Sequence, residues 1–274
     1  MSAEAAAPAH TVSSLADRHA LVTGGSRGIG LAIARQLLDL GARVTLMGRE
    51  EEALRVAARQ LAGAKGSGPG NIAWVAGDIA SHDDVQRALD QARKAHGPVD
   101  ILINNAGQAA SQRFDRLDEA GWQRMLAVNL TGTFHCMQAA LPDMRRNGWG
   151  RIVNVASTAG LKGYAYVSAY CAAKHGVIGL TRAVALEVAG QGVTVNAVCP
   201  GYTETDIVRE AVANISAKTG GSAEQALGQL TARNPQGRLV QPEQVAQAVS
   251  WLCLPGADAV NGQAIAIDGG ELAG

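Results

Sequence analysis

Tyr170 and Lys174 stand four residues apart, with Ser157 thirteen residues before the tyrosine. On a helix, residues i and i+4 lie one above the other on the same face. A phenol beside an ammonium is a tunable proton donor, because the cation stabilises phenolate and draws its pKa down from about 10. Each factor of ten in that equilibrium is about 1.4 kcal/mol. Ser157 could give a hydroxyl to the same reacting oxygen. Alone, Tyr-x-x-x-Lys also describes an ordinary exposed helix face, so the rest of the chain must decide.

Elements that would position these residues can be read in order. An apolar run, His19–Thr23, ends in Gly24-Gly25-Ser26-Arg27-Gly28-Ile29-Gly30 and is followed by a helical pattern over Leu31–Leu38. Strand, glycine turn and helix form the setting in which a backbone can approach a pyrophosphate and a helix N-terminus can hold it. The spacing is Gly24-x-x-x-Gly28-x-Gly30 rather than the commoner G-x-G-x-x-G. A second strand, Arg43–Met47, ends at Gly48-Arg49-Glu50. An NAD-preferring fold puts an acid at this place to hold the ribose 2′-OH. Gly48 and Arg49 stand there instead, and Arg49 with Arg27 suits a 2′-phosphate. The competing arrangement leaves Arg49 solvated and gives the ribose to Glu50 or Glu51.

Further strands are expected at Ile72–Ala76, Val99–Ile103, Arg151–Ala156, Val193–Val198 and Ala264–Ile267. Asp78 follows the third strand, where ligands of open α/β sheets bind, although capping the next turn would also explain it. Asn104-Asn105-Ala106-Gly107 follows the fourth, and Ser157 the fifth. Helices are expected at Glu51–Leu61, from Ser81 or Asp83 to Ala95, at Gly121–Met144, from Tyr170 to Ala189 and from Pro242 to Leu254. Asn129 would lie inside the long one, where asparagine is unfavourable unless its amide is used. A loop over Ala62–Asn71 reads as surface, and the register of Gln108–Ala120 stays open. Residues 206–237 read as one or two helices broken at Thr219-Gly220-Gly221, a natural lid. Regular alternation of strands and helices predicts one doubly wound parallel sheet in a single unit over 15–274, after a disordered lead-in over 1–14.

Composition narrows the class. The 274 residues carry 24 basic and 24 acidic side chains, and no basic block suggests a nucleic-acid or membrane partner. No apolar run reaches membrane-spanning length, and the first residues lack the pattern of a secretory signal. The four cysteines, Cys136, Cys171, Cys199 and Cys253, show no C-x-x-C pairing, which fits free thiols in the cytoplasm and no metal site.

Taken together, Thr23–Gly30, Asn104–Gly107, Asn129, Ser157, Tyr170-x-x-x-Lys174 and Pro200-Gly201 resemble the short-chain dehydrogenase/reductase family, from about Leu15 onward. The resemblance implies a Rossmann fold with a mostly parallel seven-stranded sheet. It also implies a catalytic set of Asn129, Ser157, Tyr170 and Lys174. Tyr170 would be the acid in carbonyl reduction, with its pKa lowered by Lys174, and Ser157 would polarise the substrate oxygen. Asn129 would hold a water linking Lys174 to solvent. Cofactor contacts would come from Gly24, Ser26, Arg27, Gly28, Ile29, Gly30, Arg49, Asp78, Ile79, Asn105, Ala106, Gly107, Tyr170, Lys174, Pro200, Gly201, Thr203 and Thr205. Asp78 would lie by the adenine and Thr203 by the nicotinamide carboxamide.

Asn196–Gly201 and Gly237–Pro242 resemble β-ketoacyl and aromatic-polyketide ketoreductases. The expectation is therefore NADP(H) chemistry on a 3-oxoacyl thioester, with NAD(H) and a cyclic or aryl ketone, steroid or sugar alcohol as the alternative. A non-catalytic nucleotide sensor is the third reading, and the intact catalytic set argues against it. Tyr164, Tyr166 and Tyr202 are candidates for lining the substrate pocket. The family implies a homotetramer, for which the long apolar helices would supply packing faces.

Overall fold

A computed structural model describes residues 14–63 and 69–273. The expected lead-in up to residue 13 and the middle of the Ala62–Asn71 loop lie outside those residues. Seven runs rich in β-branched and aliphatic side chains form strands: β1 His19–Thr23, β2 Arg43–Gly48, β3 Ile72–Ala76, β4 Ile101–Asn104, β5 Gly150–Val155, β6 Val193–Pro200 and β7 Ala264–Ile267. They make one sheet in the order β3-β2-β1-β4-β5-β6-β7, with every strand pair parallel.

Parallel neighbours need crossovers, and helices supply them: α1 Gly28–Asp39, α2 Glu51–Ala62, α3 His82–His96, α4 Glu119–Leu126, α5 Gly132–Asn147, α6 Ser168–Val188, α7 Asp206–Thr219, α8 Ala223–Thr231 and α9 Pro242–Cys253. Successive strand residues face opposite sides. Val22 and Val44 accordingly pack with Ile33, Leu37, Leu54 and Val249 from α1, α2 and α9. Leu21 and Leu102 pack with Leu89, Met137 and Val188 from α3, α5 and α6. Two apolar layers on two faces are the expected doubly wound architecture.

Local chemistry sets the ends of the elements. The Ser81 side chain accepts from the Asp84 N–H to open α3, and Ser222 with Gln225 forms a reciprocal cap at α8. Gly220, with φ +71, ends α7 and separates it from α8, as the Gly220-Gly221 pair predicts. One expectation fails in detail. The helix expected over Gly121–Met144 is not continuous: a π-helical turn, Ala127–Thr131, separates α4 from α5 and contains Asn129. The asparagine amide donates both to the Met125 carbonyl one turn back and to the Gln108 carbonyl outside the helix, and the ladder widens there.

The strand order reverses direction between β1 and β4. In such sheets the crevice beyond the strands' C-terminal ends at that switch point is where ligands sit. Thr23, Asn104 and Val155 end the three strands around it.

Candidate active site

The turn after β1 is held from both sides. Thr23 Oγ1 donates to the Ile103 carbonyl at 3.3 Å and accepts from Asn105 and Ala106 N–H groups at 3.0 Å each. The Asn105 amide donates to the Thr23 and Gly24 carbonyls at 3.0 and 3.1 Å. Gly24 and Gly28 adopt φ of +62 and +52, and a Cβ at Gly30 would collide with the Gly24 carbonyl. That collision shows why glycine is needed where the helix starts against the turn. Helix α1 has no side-chain cap at Arg27 and no acid in its first turn, so its first N–H groups remain available to an anion. This cradle fits the pyrophosphate of a dinucleotide.

Around the cradle lie the other predicted contacts. Thr205 overhangs it, since a Cβ at Gly28 would be 3.2 Å from its methyl group. Arg27 reaches Asp206, the first residue of α7, at 3.6 Å. Arg49 and Glu50 are both exposed at the end of β2, and Glu50 makes no side-chain cap for α2. Buried Thr203 donates to the Gly201 carbonyl at 3.0 Å. The Asp78 carboxylate accepts from the Ala80 N–H at 2.9 Å, so it does cap its turn. Asp78 and Asn105 therefore spend side-chain hydrogen bonds on shaping the site.

Ser157 follows β5 and caps a 3₁₀ turn, Thr158–Gly160, by accepting from the Ala159 N–H at 3.1 Å. Gly160 lets that turn press on α6, because a Cβ there would stand 2.7 Å from the Lys174 carbonyl. The contact turns the Ser157 hydroxyl toward the Tyr170 phenol, close enough to oppose part of the effect of burial on it. Lys174 lies one helical turn on, its ammonium 5.7 Å from the Tyr170 ring and donating to the Val155 carbonyl at 2.8 Å. Asn129 closes the group. It is fully buried, donates to the Gln108 carbonyl at 2.9 Å and the Met125 carbonyl at 3.1 Å, and accepts from the Gln108 N–H at 3.2 Å. A Cβ on Gly107 would meet both the Asn129 oxygen at 2.8 Å and Lys174 Nζ at 3.7 Å. Four stretches far apart in sequence thus converge on one cleft.

The electrostatics correct one expectation. Burial pushes the Tyr170 phenol up to about 12, and the Ser157 hydroxyl opposes that shift. Burial also lowers Lys174 from 10.5 to about 8, which the Cys199 thiol opposes. The anticipated lowering of Tyr170 below 10 by Lys174 does not show in the cofactor-free chain, where burial of the phenol sets the direction.

Some of the site was not legible in the spacing. Thr23 has no catalytic residue type, and Gln108 contributes through its backbone. Glu271 meets Tyr164 and Lys162 only through the tertiary fold. Of the candidate pocket tyrosines, Tyr164 is hydrogen-bonded, Tyr202 is half-buried, and Tyr166 is exposed with φ +70. Cys136, Cys199 and Cys253 are buried free thiols. Among the described residues no group of three His, Cys, Asp or Glu is placed to hold a metal, and no helix is long and apolar enough to cross a membrane.

Comparison with known proteins agrees with this geometry. The short chain dehydrogenase family model matches residues 18–216. The cis-4-hydroxycyclohexanecarboxylate dehydrogenase of Sinomonas cyclohexanicum is 40% identical over 260 residues, covering 94% of this chain and 98% of its own. The D-beta-hydroxybutyrate dehydrogenase of Rhizobium meliloti is 36% identical over 253 residues, covering 92% and 97%. A variant of actinorhodin polyketide ketoreductase, crystallised with NADPH, superposes with a TM-score of 0.88 at 40% identity, covering 93% of this chain and 97% of that one. The chain belongs to the short-chain dehydrogenase/reductase family and is an oxidoreductase of secondary alcohols and ketones.

Proposed function

We propose that the protein is an NADP(H)-dependent oxidoreductase that interconverts a 3-oxoacyl thioester and the corresponding 3-hydroxyacyl thioester. One observation carries the chemistry: the turn that Ser157 caps packs through Gly160 onto α6 at Lys174, whose ammonium lies 5.7 Å from the Tyr170 ring, at the switch-point end of the sheet. When bound, the nicotinamide supplies or accepts the hydride at the carbonyl carbon. The chain's own residues manage the oxygen.

Tyr170 gives its proton to the carbonyl oxygen in reduction and recovers it in oxidation. Ser157 donates a hydrogen bond to the same oxygen and stabilises the charge that develops there. Lys174 is a cation at neutral pH, with a pKa of about 8. It holds the cofactor ribose, with its charge 5.7 Å from the Tyr170 ring. Asn129 fixes Gly107 and Gln108 against Lys174 and holds the water through which the lysine exchanges protons. Gly24, Gly28 and Gly30 receive the pyrophosphate, with Ser26 and Ile29 lining the turn. Asp78, Ile79 and Asn105–Gly107 border the adenosine, while Pro200, Gly201, Thr203 and Thr205 border the nicotinamide.

The preference for NADP(H) rests on two exposed cations, Arg27 in the glycine turn and Arg49 beside Gly48, where an acid would hold a free ribose hydroxyl. The NADPH-bound ketoreductase at 40% identity supports the same reading. A cyclic ketone is the second reading, favoured by the relative that acts on a cyclohexane alcohol. A nicotinamide-absorbance screen of NADPH and NADH against 3-oxoacyl thioesters, cyclic ketones and aryl ketones tests both. The highest kcat/KM is expected with NADPH and a thioester; a preference for NADH or for a cyclic ketone would displace the proposal.

We further infer a cytoplasmic homotetramer. Exposed Phe134 on α5 and Leu186 on α6 offer apolar packing surface, and the buried free thiols suit a reducing compartment. Light scattering should give a mass of four chains.

A further inference from the structure

After β7 the chain passes the Pro200–Gly201 turn, where a Cβ on Gly201 would lie 3.4 Å from Glu271 Oε2, and the Glu271 side chain is only 3% exposed. A carboxylate so enclosed is unfavourable unless its oxygens are paired. Its partners are specific. The Tyr164 hydroxyl donates to Oε1 at 2.6 Å, and Lys162 Nζ lies 3.2 Å from the same oxygen. Tyr164 also shares a 2.8 Å hydrogen bond with the Thr158 hydroxyl, and Thr158 adjoins Ser157. Both partners belong to the segment Leu161–Val167, which joins the Ser157 turn to the helix carrying Tyr170.

That segment is strained. Tyr166 has φ +70, a left-handed conformation that costs a non-glycine residue on the order of 1 kcal/mol and persists only when the surroundings enforce it. Two anchors do so: the Gln112 N–H, which donates to the Tyr166 carbonyl at 2.7 Å, and the Glu271 carboxylate. Glu271 is itself held in place. The turn that carries it is pinned by Asp268, whose carboxylate accepts from the Gly270 and Leu272 N–H groups at 2.9 Å each. The Arg233 guanidinium lies 5.4 Å from the Tyr164 ring.

We propose that Glu271 is a positioning residue: by gripping Tyr164 and Lys162 it holds the Leu161–Val167 loop in the conformation that forms the substrate side of the cleft, and so sets affinity for the carbonyl compound. It acts through Tyr164 and Lys162. The proposal rests on the reading that Ser157 and Tyr170 act on that carbonyl.

The test uses the full chain saturated with NADPH, with S-acetoacetyl-N-acetylcysteamine as the carbonyl probe. In Glu271→Ala, KM is expected to rise about tenfold, with kcat and NADPH affinity changed less than about threefold. Hydrogen exchange of amides 161–167 should accelerate. Glu271→Gln, which keeps an acceptor for Tyr164, should restore part of the loss. Tyr164→Phe should reproduce the effect, and the double variant should be no worse than Glu271→Ala alone.

Unchanged exchange in 161–167 would overturn the proposal whatever the kinetics, as would an unchanged KM or additive losses. If Glu271→Ala does not fold, Lys162→Met at the more exposed partner gives the same readouts. Tyr170→Phe separates the two readings. Turnover surviving that change would refute the acid–base assignment, while the exchange measurement would still judge Glu271.

Discussion

Replacing Lys174 with methionine should stabilise the cofactor-free protein at neutral pH and destabilise it in alkali. The lysine is 5% exposed, and burial lowers its pKa from 10.5 to about 8. At about 1.4 kcal/mol per factor of ten, keeping it charged in the folded state costs about 3 kcal/mol relative to the unfolded chain. The sign follows from proton binding. Between about pH 8 and 10.5 the unfolded state holds more protons, so stability rises with pH through that window, and below pH 8 the full cost remains.

Lys174→Met removes the charge and keeps most of the apolar stem. It also strands the Val155 carbonyl, which accepts from Nζ at 2.8 Å; an unmet buried acceptor costs about 1–2 kcal/mol. The net gain at pH 7 is about 1–2 kcal/mol, a rise in Tm of a few degrees at about 2–4 °C per kcal/mol for a chain of this size. At pH 10 most of the wild-type cost has gone, so the variant should be the less stable by about 1 kcal/mol. Thermal unfolding by circular dichroism at pH 7 and pH 10, at matched ionic strength, reads both signs. Equal destabilisation at the two pH values would refute the reasoning, since it would show that the buried ammonium carries no desolvation cost.

Tyr170→Phe should lower kcat by two orders of magnitude or more, with NADPH affinity nearly unchanged in a fluorescence titration. Arg49→Asp should shift kcat/KM from NADPH toward NADH; an unaltered ratio would assign the 2′-phosphate to other groups. His19, fully buried at the start of β1, hydrogen-bonds Thr45 at 2.9 Å and the Gly97 carbonyl at 2.8 Å, and burial lowers its pKa to about 4. Its neutral form therefore contributes stability that is present above pH 6.5 and fades as pH falls toward 4, by about 3 kcal/mol in all. Urea midpoints measured across that range should decline, and His19→Gln should flatten the decline, leaving the share of neighbouring His96.

Strand and helix order was legible because apolar period and turn residues are local properties. His19–Thr23 and Ile72–Ala76 match the expected strands to the residue, and Gly220 breaks the helical stretch over 206–237 where expected. Asparagine is ill-suited to a helix interior, and the π turn around Asn129 accommodates it. The turn itself was hidden, because its cause is a pairing with Gln108, twenty-one residues away. Asp78 and Asn105 stood out as ligand candidates, yet whether their side chains face a ligand or the backbone depends on packing. Here both serve the backbone.

Residue type and spacing by themselves determined that one chain contains a glycine turn, a phenol one helical turn from an ammonium, and a serine at a strand's end. Chemistry of that kind is written locally, since it depends on which atoms are available and how a helix or turn displays them. Tertiary structure decided the sign of the Tyr170 shift, because desolvation depends on what covers the phenol. It also decided that Glu271, which no motif marks, lies beside the Ser157–Tyr170 loop. That residue is 101 positions beyond Tyr170, and only the return of the chain along β7 brings its carboxylate to Tyr164 and Lys162.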